Sequence, residues 1–295
     1  MTAARLIASV AAVIAAAMPT ASPAGEVDVY LFGGQSNMQG VGTLADLPAD
    51  VPREPTDTFF WNGRTFEPLV VGTTRTSSRP DEFGPEIGFA TAPAARPRYL
   101  VKYAASGMPL HHGWNGADWV GDPPAPGRRT FYPGERRDDP NQGTLYREML
   151  GRFRSGIAAV KTAGDTPAVR GFLWMQGEAD AKHERSAAGY AASLRRLRDR
   201  LAEDLGVESL PLAFGQVLPH EPALPRFTHR REIRAAMAAA DDRAGGPEAI
   251  PVARMVSTDG FGMLPDTVHY NAAGQLALGR AFAAALRSLE PARDR

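Results

Sequence analysis

The sequence predicts an α/β fold: a three-layer sandwich built on a five-stranded parallel sheet. Three observations lead to it. Five short apolar runs, residues 27–32, 98–103, 169–175, 211–217 and 250–256, read as buried strands. Helical patterns lie between most of them. Strand–helix alternation of this kind implies a mainly parallel sheet covered on both faces.

The elements follow in chain order. Arg5 is the only charge before Glu26, and residues 6–18 form an alanine-rich, mainly apolar run. That run is short for a bilayer span. Pro19 and small residues follow, with Ser22-Pro23-Ala24 as a small-x-small cleavage site. Residues 1–24 therefore read as a signal peptide, with secretion or periplasmic export of a single domain, residues 25–295. No later segment is apolar for long enough to cross a membrane. After the second strand, Leu145, Met149, Phe153, Ile157 and Val160 follow helical spacing. Tyr190, Leu194, Leu197, Leu201 and Leu205 do the same, with basic residues on the other face. Residues 231–240 form an alanine-rich helix, and residues 271–289 the last one, with Asn271 as its N-cap. Two stretches break the rhythm. Residues 44–80 hold a Phe59-Phe60-Trp61 cluster and read as a hairpin or an extended loop. Residues 111–143 are rich in Gly and Pro and hold Trp114, Trp119, Phe131 and Tyr132. A loop that long usually has a task.

Composition removes several function classes. Basic and acidic side chains balance at 33 each, so nothing marks a nucleic-acid partner. The chain has no cysteine, which excludes disulfides, thiol catalysis and Cys-ligated zinc. No histidine spacing suggests a metal site, and no cofactor is implied.

Ligands of open parallel sheets sit at the carboxyl ends of strands. Gly34-Gln35-Ser36-Asn37-Met38 follows the first predicted strand, Ala105-Ser106-Gly107-Met108 the second, and Gln176-Gly177-Glu178-Ala179-Asp180 the third. Asp259 and then Asp266-Thr267-Val268-His269 follow the last. Asp266 and His269 are three apart at the entry to a helix, so the carboxylate can turn back to the imidazole. Bonded to Nδ1–H, it would leave Nε2 facing a serine. Ser36 is then the candidate nucleophile, His269 the base and Asp266 its orienting group, with Asp259 as the fallback carboxylate. The Ser36 and Gly107 N–H groups and the Gln176 amide are candidate oxyanion donors. Gln35, Asn37 and Glu178 are read as supporting residues around them. Trp114 and Trp119 are candidate sugar-ring contacts, and equally candidate loop anchors.

These motifs, in this order, resemble the sialate O-acetylesterase-like branch of the SGNH hydrolases, which includes carbohydrate esterase family six, the acetyl xylan esterases. The residues that carry the resemblance are Gly34-Gln35-Ser36-Asn37-Met38, Trp174-Met175-Gln176-Gly177-Glu178-Ala179-Asp180 and Asp266-x-x-His269. Lys102 to Leu110 fits the family's glycine block, and the likeness runs through nearly all of the chain after the signal peptide. It implies a flavodoxin-like sandwich, a Ser–His–Asp triad without a metal, and removal of O-acetyl groups from a carbohydrate. The chain departs from the pattern at Ser106-Gly107-Met108, where the family often has Gly-Gly-Thr, and at Ala179, where it often has Ser. Gln176 replaces the asparagine of the wider superfamily. Two other readings are carried: a sugar acetyltransferase using the same residues, and a non-catalytic carbohydrate-binding protein on a hydrolase fold. A histidine base must be neutral, so activity is expected to fall in acid over the range where free histidine titrates, about pH 6–7.

Overall fold

The computed structural model describes residues 25–290. The expected signal peptide lies outside them. All five predicted strands form: β1 (Glu26–Gly34), β6 (Arg98–Ala104), β7 (Thr166–Met175), β8 (Leu212–Gly215) and β9 (Ala253–Val256). They are mutually parallel in the order β6-β1-β7-β8-β9. The expected count of five is corrected to seven. Residues 44–80 supply β3 (Thr58–Trp61) and β4 (Phe66–Pro68), an antiparallel hairpin whose first strand pairs parallel with β6. The physical reason is the aromatic cluster. Phe59 stacks on Tyr99 of β6, and Phe60 and Trp61 are buried. A separate two-stranded ladder joins β2 (Gly42–Thr43) to β5 (Glu82–Phe83).

Helices cover both faces. On one side lie α3 (Thr144–Thr162), α5 (Tyr190–Leu205) and α6 (Arg230–Ala240), and on the other α2 (Pro85–Ala90) packs against α7 (Ala272–Leu289). In α3 the residues at helical spacing, Leu145, Met149, Phe153 and Val160, are buried against the sheet. In α5 these are Tyr190, Leu194, Leu197 and Leu201, and the helix ends at Gly206, whose φ of 68° is left-handed. The predicted cap of α7 forms: the Asn271 side chain accepts from Gly274 N–H at 3.0 Å. The α2 and α7 backbones meet where a Cβ on Gly279 would lie 1.9 Å from the Pro85 carbonyl oxygen. Three short helices were too brief to show a period: α1 (Ser36–Gln39), α2 and α4 (Glu184–Ala188).

Candidate active site

Register places the site. Gly34 at the end of β1 pairs with Ala104 of β6 on one side and Met175 of β7 on the other. The residues after each therefore emerge together at one sheet edge. Gly34 is needed there, because a Cβ on it would lie 2.1 Å from the Met175 carbonyl oxygen. Gln35 N–H donates to that same oxygen at 2.9 Å, which aims the chain into α1 with Ser36 as its first residue.

The loop between β9 and α7 brings the imidazole back to this edge. Ser36 Oγ and His269 Nε2 are 2.8 Å apart, and His269 Nδ1 is 2.6 Å from Asp266 Oδ2. The other Asp266 oxygen accepts the N–H groups of Val268 and His269, both at 2.9 Å. Partial burial pushes the Asp266 carboxyl up, but the bonds from the His269 side chain and these two amides outweigh it. The net effect holds it below the usual carboxylate range. The turn is tight enough to place Thr267 at φ 57°. The fallback carboxylate is engaged elsewhere: Asp259 accepts from Arg234 at 2.8 and 3.0 Å.

Asn37, next to Ser36, joins three segments. Its Nδ2 donates to Glu178 Oε1 at 2.7 Å and to the Val268 carbonyl at 3.0 Å, while its Oδ1 accepts Tyr270 N–H at 3.0 Å. It thus grips the residue on each side of His269. Burial pushes the Glu178 carboxyl above its ordinary range, against the lowering effect of its backbone and Asn37 bonds. Gln35 is buried behind the turn, and its side-chain oxygen has no partner among the described residues.

Of the candidate oxyanion donors, two keep free hydrogens. Among the described residues the N–H groups of Ser36 and Gly107 reach no protein acceptor. Gly107 has φ 70°, and a Cβ there would meet open space, so the glycine serves the backbone angle. Gln176 is corrected. It is fully buried, and its amide nitrogen donates to the Met108 carbonyl at 3.0 Å and to Asp180 Oδ2 at 2.5 Å. Both amide hydrogens are committed.

The two tryptophans are candidates both as sugar-ring contacts and as loop anchors. Trp114 is 4% exposed, and its indole N–H donates to the Ala179 carbonyl at 2.8 Å. Trp119 is half-buried, with His183 stacked on it at 4.6 Å and the Arg185 guanidinium over its ring. These contacts fit the anchor reading, and the sequence had no way to show what covers either ring. His183 is packed against both indoles. The adjacent His111 and His112 rings stack at 4.5 Å. Burial and the neighbouring His112 push the His111 imidazole down to about 4. The structure also gives Asp180 its partners. Its buried carboxylate accepts from Leu110 N–H at 3.0 Å, His111 N–H at 3.2 Å, Ser186 Oγ at 2.5 Å and Gln176. Its place two residues after Glu178, in a block already rich in carboxylates, was the available signal.

This arrangement can activate a serine hydroxyl. Residues 26–288 match the sequence model of a family described as carbohydrate esterase, sialic acid-specific acetylesterase. The chain belongs to this family. Solved structures agree on the fold of this carbohydrate esterase. A protein from Arabidopsis thaliana is 18% identical with a TM-score of 0.63, over 88% of this chain and 98% of its own. NanS is 15% identical with a TM-score of 0.55, over 90% and 98%. A carbohydrate acetylesterase from Xanthomonas citri is 17% identical with a TM-score of 0.57, over 89% of this chain and 56% of its own. Among curated protein sequences none matches the chain. Among the described residues no helix is long and apolar enough to cross a membrane.

Proposed function

We propose that the protein is an exported O-acetylesterase that deacetylates a carbohydrate through an acetyl-enzyme on Ser36. The observation that carries this reading is the continuous chain from Ser36 Oγ through His269 to Asp266, with contacts of 2.8 and 2.6 Å. His269 Nε2 takes the hydroxyl proton as Oγ bonds to the acetyl carbonyl carbon. The oxyanion that forms is held by the Ser36 and Gly107 N–H groups. Collapse breaks the bond to the sugar oxygen, which leaves with the proton from His269. Water then attacks the acetyl group with His269 again as base, acetate departs, and Ser36 regains its proton. Asp266 keeps the imidazole in the tautomer this cycle requires. Export rests on the leader-like residues 1–24.

One neighbouring pocket gives a reason to include an acidic sugar among the substrates tested. A pocket of about 230 Å³ lies beside Gln39, at the end of the nucleophile's own short helix. Arg75 and Arg152 line it, and among the described residues both bond only backbone carbonyls. Lys102, also in the lining, is paired with Glu86 at 2.7 Å. Two guanidinium charges without a carboxylate suit a carboxylate on the substrate.

The test is acetate release by the purified protein from an aryl acetate, acetylated xylan and an O-acetylated sialic acid. Ser36→Ala is expected to lower turnover of every active substrate by about 10⁴-fold or more. Asp266→Asn should lower it by about 10³-fold or more, while Asp259→Asn leaves it near wild type. An acetylated sugar formed from an added acceptor would mark a transferase instead. A folded wild type that binds sugar and releases no acetate from any substrate would sink the esterase reading.

A further inference from the structure

Two carboxylates two residues apart on one turn, Glu178 and Asp180, are both fully buried and point to different loops. The first accepts from the Asn37 side chain at 2.7 Å, the one other side chain it bonds among the described residues. Through Asn37 it meets Val268 and Tyr270, the neighbours of His269. The second accepts the backbone N–H groups of Leu110 and His111, in the loop that begins at Gly107. It also fixes Gln176, which in turn holds the Met108 carbonyl at 3.0 Å. Tyr190 closes this side, its hydroxyl donating to the Gln176 carbonyl at 2.5 Å. Ser186, at the start of the following helix, donates to Asp180 at 2.5 Å.

We propose that Glu178 and Asp180 are positioning residues acting in opposite directions from one turn. Glu178, through Asn37, holds the His269 loop against Ser36. Asp180, with Gln176, holds the loop that presents the Gly107 N–H. Neither touches the reacting atoms. Glu178 acts by accepting a hydrogen bond, a task a neutral amide can perform. The charged and titratable groups around it are His269 and Tyr270 from the catalytic loop, Asp180 and Lys182 from its own turn, and Tyr190 from α5.

The kinetic part rests on the esterase reading; amide exchange does not. In the folded protein Glu178→Ala is expected to speed exchange at Tyr270 about tenfold and leave Leu110 and His111 unchanged, since one hydrogen bond of about 1 kcal/mol or more is lost. Asp180→Asn is expected to do the reverse. If Asp180→Asn does not fold, Ser186→Ala, which removes one of the four donors, should show the same pattern more weakly. With aryl acetate, Glu178→Ala should lower kcat by about 100-fold with little change in KM, the effect of a small misplacement of the base. Glu178→Gln should restore turnover to near wild type with the acid limb of the pH profile unmoved. Asp180→Asn should lower kcat without moving that limb. The proposal falls if either variant loosens both loops or neither. It also falls if Glu178→Gln is as slow as Glu178→Ala and shifts the acid limb, because Glu178 would then act by charge. A wild type that releases no acetate but shows the expected exchange pattern would remove the esterase reading and leave the two-sided brace standing.

Discussion

The loop 111–143 and the turn 176–180 lie at the same edge of the sheet and do different work. The loop holds two tryptophans, two histidines, Phe131 and Tyr132, and its composition advertises a binding surface. In the fold those side chains are spent on fastening the loop to its neighbours. Trp114 is buried and bonded to Ala179, Trp119 stacks on His183, and Arg128 ties the His112 and Gly121 carbonyls at 2.9 and 3.0 Å. The turn is only five residues long, yet its carboxylates bond Asn37, which grips the loop carrying His269, and the backbone of the loop that begins at Gly107. Large aromatic side chains stabilise by area, wherever they land. A buried carboxylate must find donors, so it marks the segments whose relative position is fixed.

The largest expected effect separates the two regions by stability. Trp114→Ala should cost about 3–5 kcal/mol, the range for deleting a buried indole, measured as a fall in Tm or denaturation midpoint. At a temperature where the variant is folded, its aryl acetate turnover should stay above that of Glu178→Ala. The reverse order would break the comparison. Trp119→Ala is smaller, about 1 kcal/mol, because that ring is half-buried and loses one stack and one cation contact. Its KM for an acetylated sugar should hold; a large rise in KM with unchanged stability would restore Trp119 as a sugar contact.

Two pH experiments sharpen the contrast. His111 in the loop is pushed from 6.5 down to about 4, so its neutral form is favoured in the folded state. That stability is present above about pH 6.5 and is lost as pH falls toward 4. His111→Gln should flatten the acid decline in Tm over this window. In the turn the sign is opposite. The Glu178 carboxyl lies above its ordinary 4.5, so its stability is present below that pH and is lost as pH rises through the raised value. Glu178→Gln should raise Tm relative to wild type at pH 8 and match it at pH 4. An equal difference at both would show that Glu178 does not gain a proton on folding.

Much of this was legible in the chain. Short continuous apolar runs located five strands, and helical spacing of apolar residues helped to locate four helices, because buried faces leave such patterns in the chain. The Asn271 cap and the Asp266–His269 pair are local, three residues apart, and needed no tertiary information. The hairpin of β3 and β4 was left open, since its pairing with β6 depends on aromatic contacts far along the sequence. Gln176 was misread for a related reason: an amide's chemistry is visible in sequence, but whether its hydrogens are free is not.

By itself, then, the sequence determined the layer architecture and which residue types stand at the strand ends. Those depend on short-range periodicity and on motif spacing. Tertiary structure alone decided which groups share hydrogen bonds across that edge. It brought His269 to Ser36, Gln176 to Asp180 and Met108, and the Trp114 indole to Ala179. The reason is physical. A polar side chain's task is set by the donors and acceptors within about 3 Å of it, and those come from segments that only the folded sheet brings together.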